Sequence, residues 1–187
     1  MVRTLTLAIL TLGLLAAAPP ASATSVIRMS VADMTDRAEV IVHGRCVRKQ
    51  ARMGKDDEIV TDITLEVFEA VKGELGRSFE FTVYGGVLPE RGSAIAGAPT
   101  YKTGEELLVF LGPVNDRGLR MVIGLAQGKY TIRRERGQTL AFRNLQGLSL
   151  VDAKTGETSE AEPEQGVPFE ELLARVKARL AAKERGE

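Results

Sequence analysis

From residue 40 to residue 142 the chain is built of short runs in which apolar and polar positions alternate, the mark of strands with one buried face. In the first run Val40, Val42, Gly44 and Cys46 fall on one face, and His43 and Arg45 on the other. After a polar hairpin tip at residues 53–58, Ile59, Ile63, Leu65 and Val67 alternate with Asp62, Thr64 and Glu66. The phase slips at Phe68-Glu69, which predicts a β-bulge, a device that helps a strand coil. Phe79, Phe81 and Val83 then alternate with Glu80, Thr82 and Tyr84. Leu107 to Leu111 is apolar without interruption, as in a strand covered on both faces or one at the centre of a barrel. Leu119 to Ile123, Lys129 to Arg134 and Thr139 to Phe142 add further strands, divided by turns at Asn115-Asp116-Arg117-Gly118, Gly124 to Gly128 and Arg136-Gly137.

Helical periodicity occurs only at the flanks. Ser30, with Asp33 three residues on, forms an imperfect capping box for a short helix ending near Arg37. Asp152 to Gly166 is polar and reads as a solvated linker. Pro168 opens a second helix in which Phe169, Leu172, Leu173, Val176 and Leu180 recur at helical spacing. Glu170-Glu171 in its first turn and Lys183 and Arg185 in its last suit the helix dipole. The pattern therefore predicts a mainly β fold, a small barrel or sandwich with a short N-terminal helix and a C-terminal amphipathic helix. Strands that do not alternate with long helices argue against a Rossmann-type sheet. The boundaries read as a β domain over 24–150, a linker over 151–167 and the helix over 168–187. The helix stripe either docks on the β domain, the favoured reading, or meets a partner.

Residues 1–23 carry an address. Arg3 precedes a charge-free run from Leu5 to Ala18, and Ala21-Ser22-Ala23 supplies the small residues of a cleavage site. That is a secretory signal peptide, and the apolar run is shorter than the ~20 residues that span a bilayer. The mature chain is expected to begin at Thr24, without a lipid-bearing Cys, and to be secreted or periplasmic. In an oxidising compartment Cys46, the one cysteine, is either buried, which the strand pattern favours, or paired with another chain.

The 187 residues include 25 basic and 25 acidic side chains, one His and no Trp. Zero net charge removes the electrostatic basis of a dedicated nucleic-acid binder, and one Cys with one His excludes a Cys/His zinc cluster. His43 is the only imidazole base, has no Gly-x-Ser-x-Gly nucleophile near it, and reads as an ordinary surface histidine of a strand. Asp56-Asp57-Glu58 reads as a hairpin tip rather than a calcium loop, and Gly85-Gly86 lacks the Lys-Ser/Thr of a phosphate loop. No catalytic, metal or cofactor residue is predicted. The informative stretch is Gly85 to Gly104, Gly/Pro-rich and bounded by Tyr84 and Tyr101, read either as a binding loop or as an ordered crossover that closes a barrel. Together with Gly124 to Lys129 it offers Tyr84, Tyr101, Gln127 and Lys129 as candidate ligand or partner contacts.

Three segments carry a family resemblance: Ala38-Glu39-Val40-Ile41-Val42-His43-Gly44-Arg45, Glu69-Ala70-Val71-Lys72-Gly73 and Gly104-Glu105-Glu106-Leu107-Leu108-Val109-Phe110. In their order the chain resembles the netrin-like OB-fold of the tissue inhibitors of metalloproteinases. It also looks like uncharacterised secreted bacterial proteins sharing the Gly-Ala-Pro, Gly-Glu-Glu and Ala-Gln-Gly-Lys segments. The resemblance implies an OB-like β-barrel and a non-enzymatic protein with a protein partner, an extracellular protease among the candidates. Those inhibitors chelate zinc through an N-terminal Cys and are held by disulfides. A chain with Cys46 alone carries over the fold and no inhibitory residue. The alternative expectation is an envelope module that binds a glycan or lipid through the barrel mouth.

Overall fold

The computed structural model describes residues 24–161 and 166–186. The leader expected over 1–23 lies outside the described residues. The fold is mainly β, with two helices, α1 (Val31–Arg37) and α2 (Phe169–Glu184). The long strands are β2 (Val40–Met53), β3 (Ile59–Lys72), β4 (Ser78–Tyr84), β7 (Glu106–Val114), β9 (Lys129–Glu135) and β10 (Gln138–Phe142). Shorter ones are β1 (Thr24–Ile27), β5 (Gly86–Val87), β6 (Gly92–Ser93), β8 (Arg120–Val122), β11 (Leu148–Val151), β12 (Thr158–Glu160) and β13 (Val167–Pro168). The main sheet runs β13-β10-β9-β7-β2-β3-β4, with β8 on the far part of β7. Among the described residues its two end strands do not pair with each other, and no closed barrel is seen.

The apolar run of β7 is explained by two layers. Leu108 and Phe110 face α1 and α2, packing with Met34, Ile41, Phe169, Leu172 and Val176. Leu107, Val109 and Leu111 face the other way, into a core with Val42, Cys46, Ile63, Leu65 and Phe81. β2 differs from expectation for the same reason. At the start of the strand the face opposite Val40 and Val42 is not solvated, because the helices cover it and Ile41 is fully buried there, while Arg45 farther along that face stays exposed. The phase slip lies where expected: His43 pairs with Glu69 and Gly44 with Val67, leaving Phe68 as the extra bulged residue. Further register shifts beside Val42 and between Cys46 and Arg48 add to the coiling of this long hairpin.

The Ser30 capping box is complete, with the Asp33 amide donating to the Ser30 hydroxyl and the Ser30 amide to the Asp33 carboxylate. α2 docks on the sheet through Phe169, Leu172, Leu173 and Val176. Arg179 of α2 also donates a two-pronged set of hydrogen bonds to Asp36 of α1, at 2.9 to 3.1 Å. Residues 162–165 of the expected linker lie outside the described residues, and the part before them is more ordered than its polarity implied. After a turn held by the Asp152 carboxylate, Thr158–Glu160 returns as β12 on β11, with β1 parallel on the other side. Short polar strands of this kind survive at a sheet edge because solvent satisfies their outer backbone groups.

The Asp36 contact makes α2 docking sensitive to acid. Hydrogen bonds from Arg179 hold the Asp36 carboxyl below the usual carboxylate range. The folded state then binds fewer protons than the unfolded chain, so this contribution is present above the unfolded pKa of about 4 and is lost as pH falls through the folded value. Amide exchange over α2 is expected to quicken relative to the sheet between pH 6 and pH 3, and Asp36→Asn to remove most of that difference. Unchanged pH dependence in Asp36→Asn argues against this contact as its source.

Candidate functional site

The crossover from β4 to β7 positions the site. Gly97 has a left-handed φ of +77°, and a Cβ there would press on the end of the Leu148 side chain at 2.5 Å, so any other residue would be strained. Its carbonyl accepts the Ala126 amide at 2.9 Å, which sets the crossover beside residues 124–129 as the sequence had suggested. Farther along, the Gly104 amide donates to the Cys46 carbonyl at 2.7 Å and the Cys46 amide to the Glu105 carbonyl at 2.9 Å. Tyr101 turns inward between these anchors, its ring edge-on to Phe81 at 5.8 Å. The segment is therefore an ordered crossover, and its outer side also walls a groove.

Below that wall lies a buried charged group. Lys129 Nζ donates to Glu105 Oε1 at 2.6 Å, the Thr131 hydroxyl donates to the same oxygen at 2.6 Å, and the Lys102 amide reaches Oε2 at 3.1 Å. The two charged side chains are only 7% and 11% exposed. Burial lowers the Lys129 pKa, with the Glu105 hydrogen bond and charge acting against it. The Lys129 ammonium also sits 5.3 Å from the centre of the Tyr101 ring. Burial and the nearby Glu105 charge push the Tyr101 phenol up, and burial raises the Cys46 thiol. The Tyr101 hydroxyl has no hydrogen-bond partner among the described residues. The arrangement braces the wall of the groove: every oxygen of Glu105 has a donor, as a buried carboxylate requires.

The groove has a volume of ≈ 1010 Å³ and runs from the 97–105 crossover to the ends of β9 and β10. Arg45, Arg133 and Arg143 line it, and each guanidinium lies over an aromatic ring: Phe68 at 5.2 Å, Phe142 at 4.0 Å and Tyr130 at 5.2 Å. Glu106, also on the groove, binds His43 Nε2 at 2.9 Å. That histidine is not an ordinary surface residue. Its ring is held between Phe68 at 5.3 Å and Phe169 at 4.6 Å, beneath the start of α2. Among the described residues no three His, Cys, Asp or Glu side chains gather as a metal-binding group.

The four residues singled out from the sequence part company. Tyr101 and Lys129 come together, but both are buried and serve the brace. Gln127, also buried, joins chain segments: its amide nitrogen donates to the Ile27 and Gly124 carbonyls and its oxygen accepts the Met29 amide. Tyr84 lies at a separate, shallower pocket of ≈ 500 Å³ beside Arg91 and Asp57, themselves ion-paired at 2.6 Å. No protein-family model, curated protein or solved structure matches the chain. No helix among the described residues is long and apolar enough to cross a membrane.

Sequence reasoning missed Glu105 and the stacked arginines. One signal was available. The Arg136-Gly137 turn pairs Glu135 with Gln138, which sets Arg133 opposite Leu140 and diagonal to Phe142. The Arg45–Phe68 pair had no such signal, because the bulge that turns Phe68 outward also sets its position.

Proposed function

We propose that the chain is a non-enzymatic module, exported by residues 1–23, whose groove binds a protein partner. The reading rests on one observation, the groove of ≈ 1010 Å³ whose arginines rest over aromatic rings beside a braced wall. A side chain that already rests on a ring has less entropy to lose on binding than a free one, and arginine is enriched where proteins recognise one another. The OB-like reading of the scaffold belongs to the same proposal. It is supported by the β2-β3-β4 meander, the return of β7 to β2, and the pairing of β9 with β7, the course of a partly open five-stranded barrel. With the resemblance to metalloproteinase inhibitors, this makes an extracellular protease the first partner to test, at the groove rather than through an N-terminal cysteine.

The test is to express the chain with its own leader, recover the exported form, and use it as bait against the host's envelope and medium. The expected result is one stoichiometric protein whose retention falls at least tenfold in Arg133→Glu. Turnover of a substrate by the purified chain, abolished by a single substitution, would overturn the non-enzymatic reading.

A further inference from the structure

The composition of the groove departs from that of the chain. Basic and acidic residues balance over the whole sequence, yet five cations and two carboxylates line the groove. The Glu105 charge is matched by Lys129, with Thr131 donating to the same oxygen, and Glu106 accepts a close contact from His43 at 2.9 Å, so three arginines and Lys102 outweigh the one carboxylate that has no lysine partner. Arg45 and Arg133 are about half exposed, and their ion-pair contacts, to Glu106 and Glu135, are both long at 3.9 Å. Arg133 lies 4.0 Å from the centre of the Phe142 ring and Arg45 5.2 Å from that of Phe68, and a guanidinium carries a fork of N–H donors that matches a carboxylate with two parallel hydrogen bonds. Contact with a ring restricts the guanidinium beforehand, which lowers the entropy cost of pairing.

The same stacking argues for a peptide over a sugar. A sugar ring is commonly held on an open aromatic face, and the Phe142 face in the groove is already occupied by Arg133. We propose that the groove takes a carboxylate-rich peptide segment of the protein partner, with Arg45 and Arg133 receiving its carboxylates. This inference rests on the protein-binding reading above.

The probe is a fluorescein-labelled decamer of glutamate, followed by anisotropy with the full exported chain. Saturable binding is expected that weakens with added salt. Arg133→Gln and Arg45→Gln are expected to weaken it about tenfold each, the range of a charge-assisted pair. Arg134→Gln removes the same charge from the next residue of β9, outside the groove, and is expected to leave binding unchanged. A glutamine decamer is expected not to bind. The proposal falls if the glutamate decamer is not bound, if Arg134→Gln weakens it as much as Arg133→Gln, or if trigalacturonate displaces it more strongly than unlabelled glutamate decamer. It also falls if the captured partner is retained at wild-type stoichiometry by the Arg45→Gln/Arg133→Gln double variant, a result that leaves protein binding itself standing. Capture of no protein by the wild-type chain would instead remove the protein-binding reading.

Discussion

Lys129→Met is expected to lower the unfolding free energy by about 3–5 kcal/mol, among the largest losses from any single polar substitution in this chain. Its ammonium and the Glu105 carboxylate are almost fully out of water and 2.6 Å apart. Removing the lysine leaves a carboxylate in low dielectric with only the Thr131 hydroxyl and the Lys102 amide to hold it. Desolvation of the orphaned charge, more than loss of the pair's own attraction, sets the size of the effect. Glu105→Leu in the same chain is therefore expected to restore most of the stability, since a buried ion pair replaced by apolar groups of similar volume is often neutral. Urea unfolding of wild type, both single variants and the double variant measures the coupling directly. A loss below about 1 kcal/mol for Lys129→Met is what a solvent-screened pair would give, and would show that water reaches the site. The groove should respond as well. The Glu105 carboxylate ties the 97–105 crossover to Lys129 and Thr131 of β9, so the double variant is expected to keep its fold while losing part of its affinity for an acidic peptide.

Phe110→Ala is expected to cost about 4 kcal/mol, within the usual range for emptying a phenylalanine site in a core. Phe110 is fully buried at the middle of β7, beneath both helices and 6.3 Å from the centre of the Tyr130 ring. The sheet and two helices meet around it, so the cavity can close only by moving a helix. Phe110→Leu, which keeps most of the volume, is expected to cost less than half as much. Thermal and urea unfolding of the two variants provide the check. A loss of about 1 kcal/mol in Phe110→Ala would mean that α2 collapses into the space, and amide exchange over α2 would then slow rather than quicken.

These two substitutions mark how far the chain could be read unaided. The uninterrupted run at Leu107–Leu111 read as a strand covered on both faces or one at the centre of a barrel, and the structure shows it buried on both sides, between the helices and a second core. The slip at Phe68 gave notice of the bulge, since a period of two cannot absorb an extra residue. The capping box at Ser30 and the stripe of α2 were legible because their interactions are local, spanning three or four residues. The brace was not. Lys129 was picked out for its place after a glycine-bracketed turn, and its partner Glu105 sits 24 residues away, at the end of a crossover whose course no local rule sets. His43 was misjudged for the same reason: its face of β2 looks solvent-exposed until α2, more than a hundred residues later, lies down over it. The polar run after Asp152 was taken for a linker because its composition gives no apolar face, whereas its β12 strand is held by backbone pairing to β11.

The sequence alone determined the long strands, the two helices and most of the turns, because those depend on side-chain periodicity and backbone preference over a few residues. Tertiary structure decided which polar groups are buried in pairs, which arginines are pinned on rings and where the groove lies. Each of those depends on side chains far apart in sequence brought within a few ångströms, and on the desolvation that makes a charge costly or useful only once another layer has covered it.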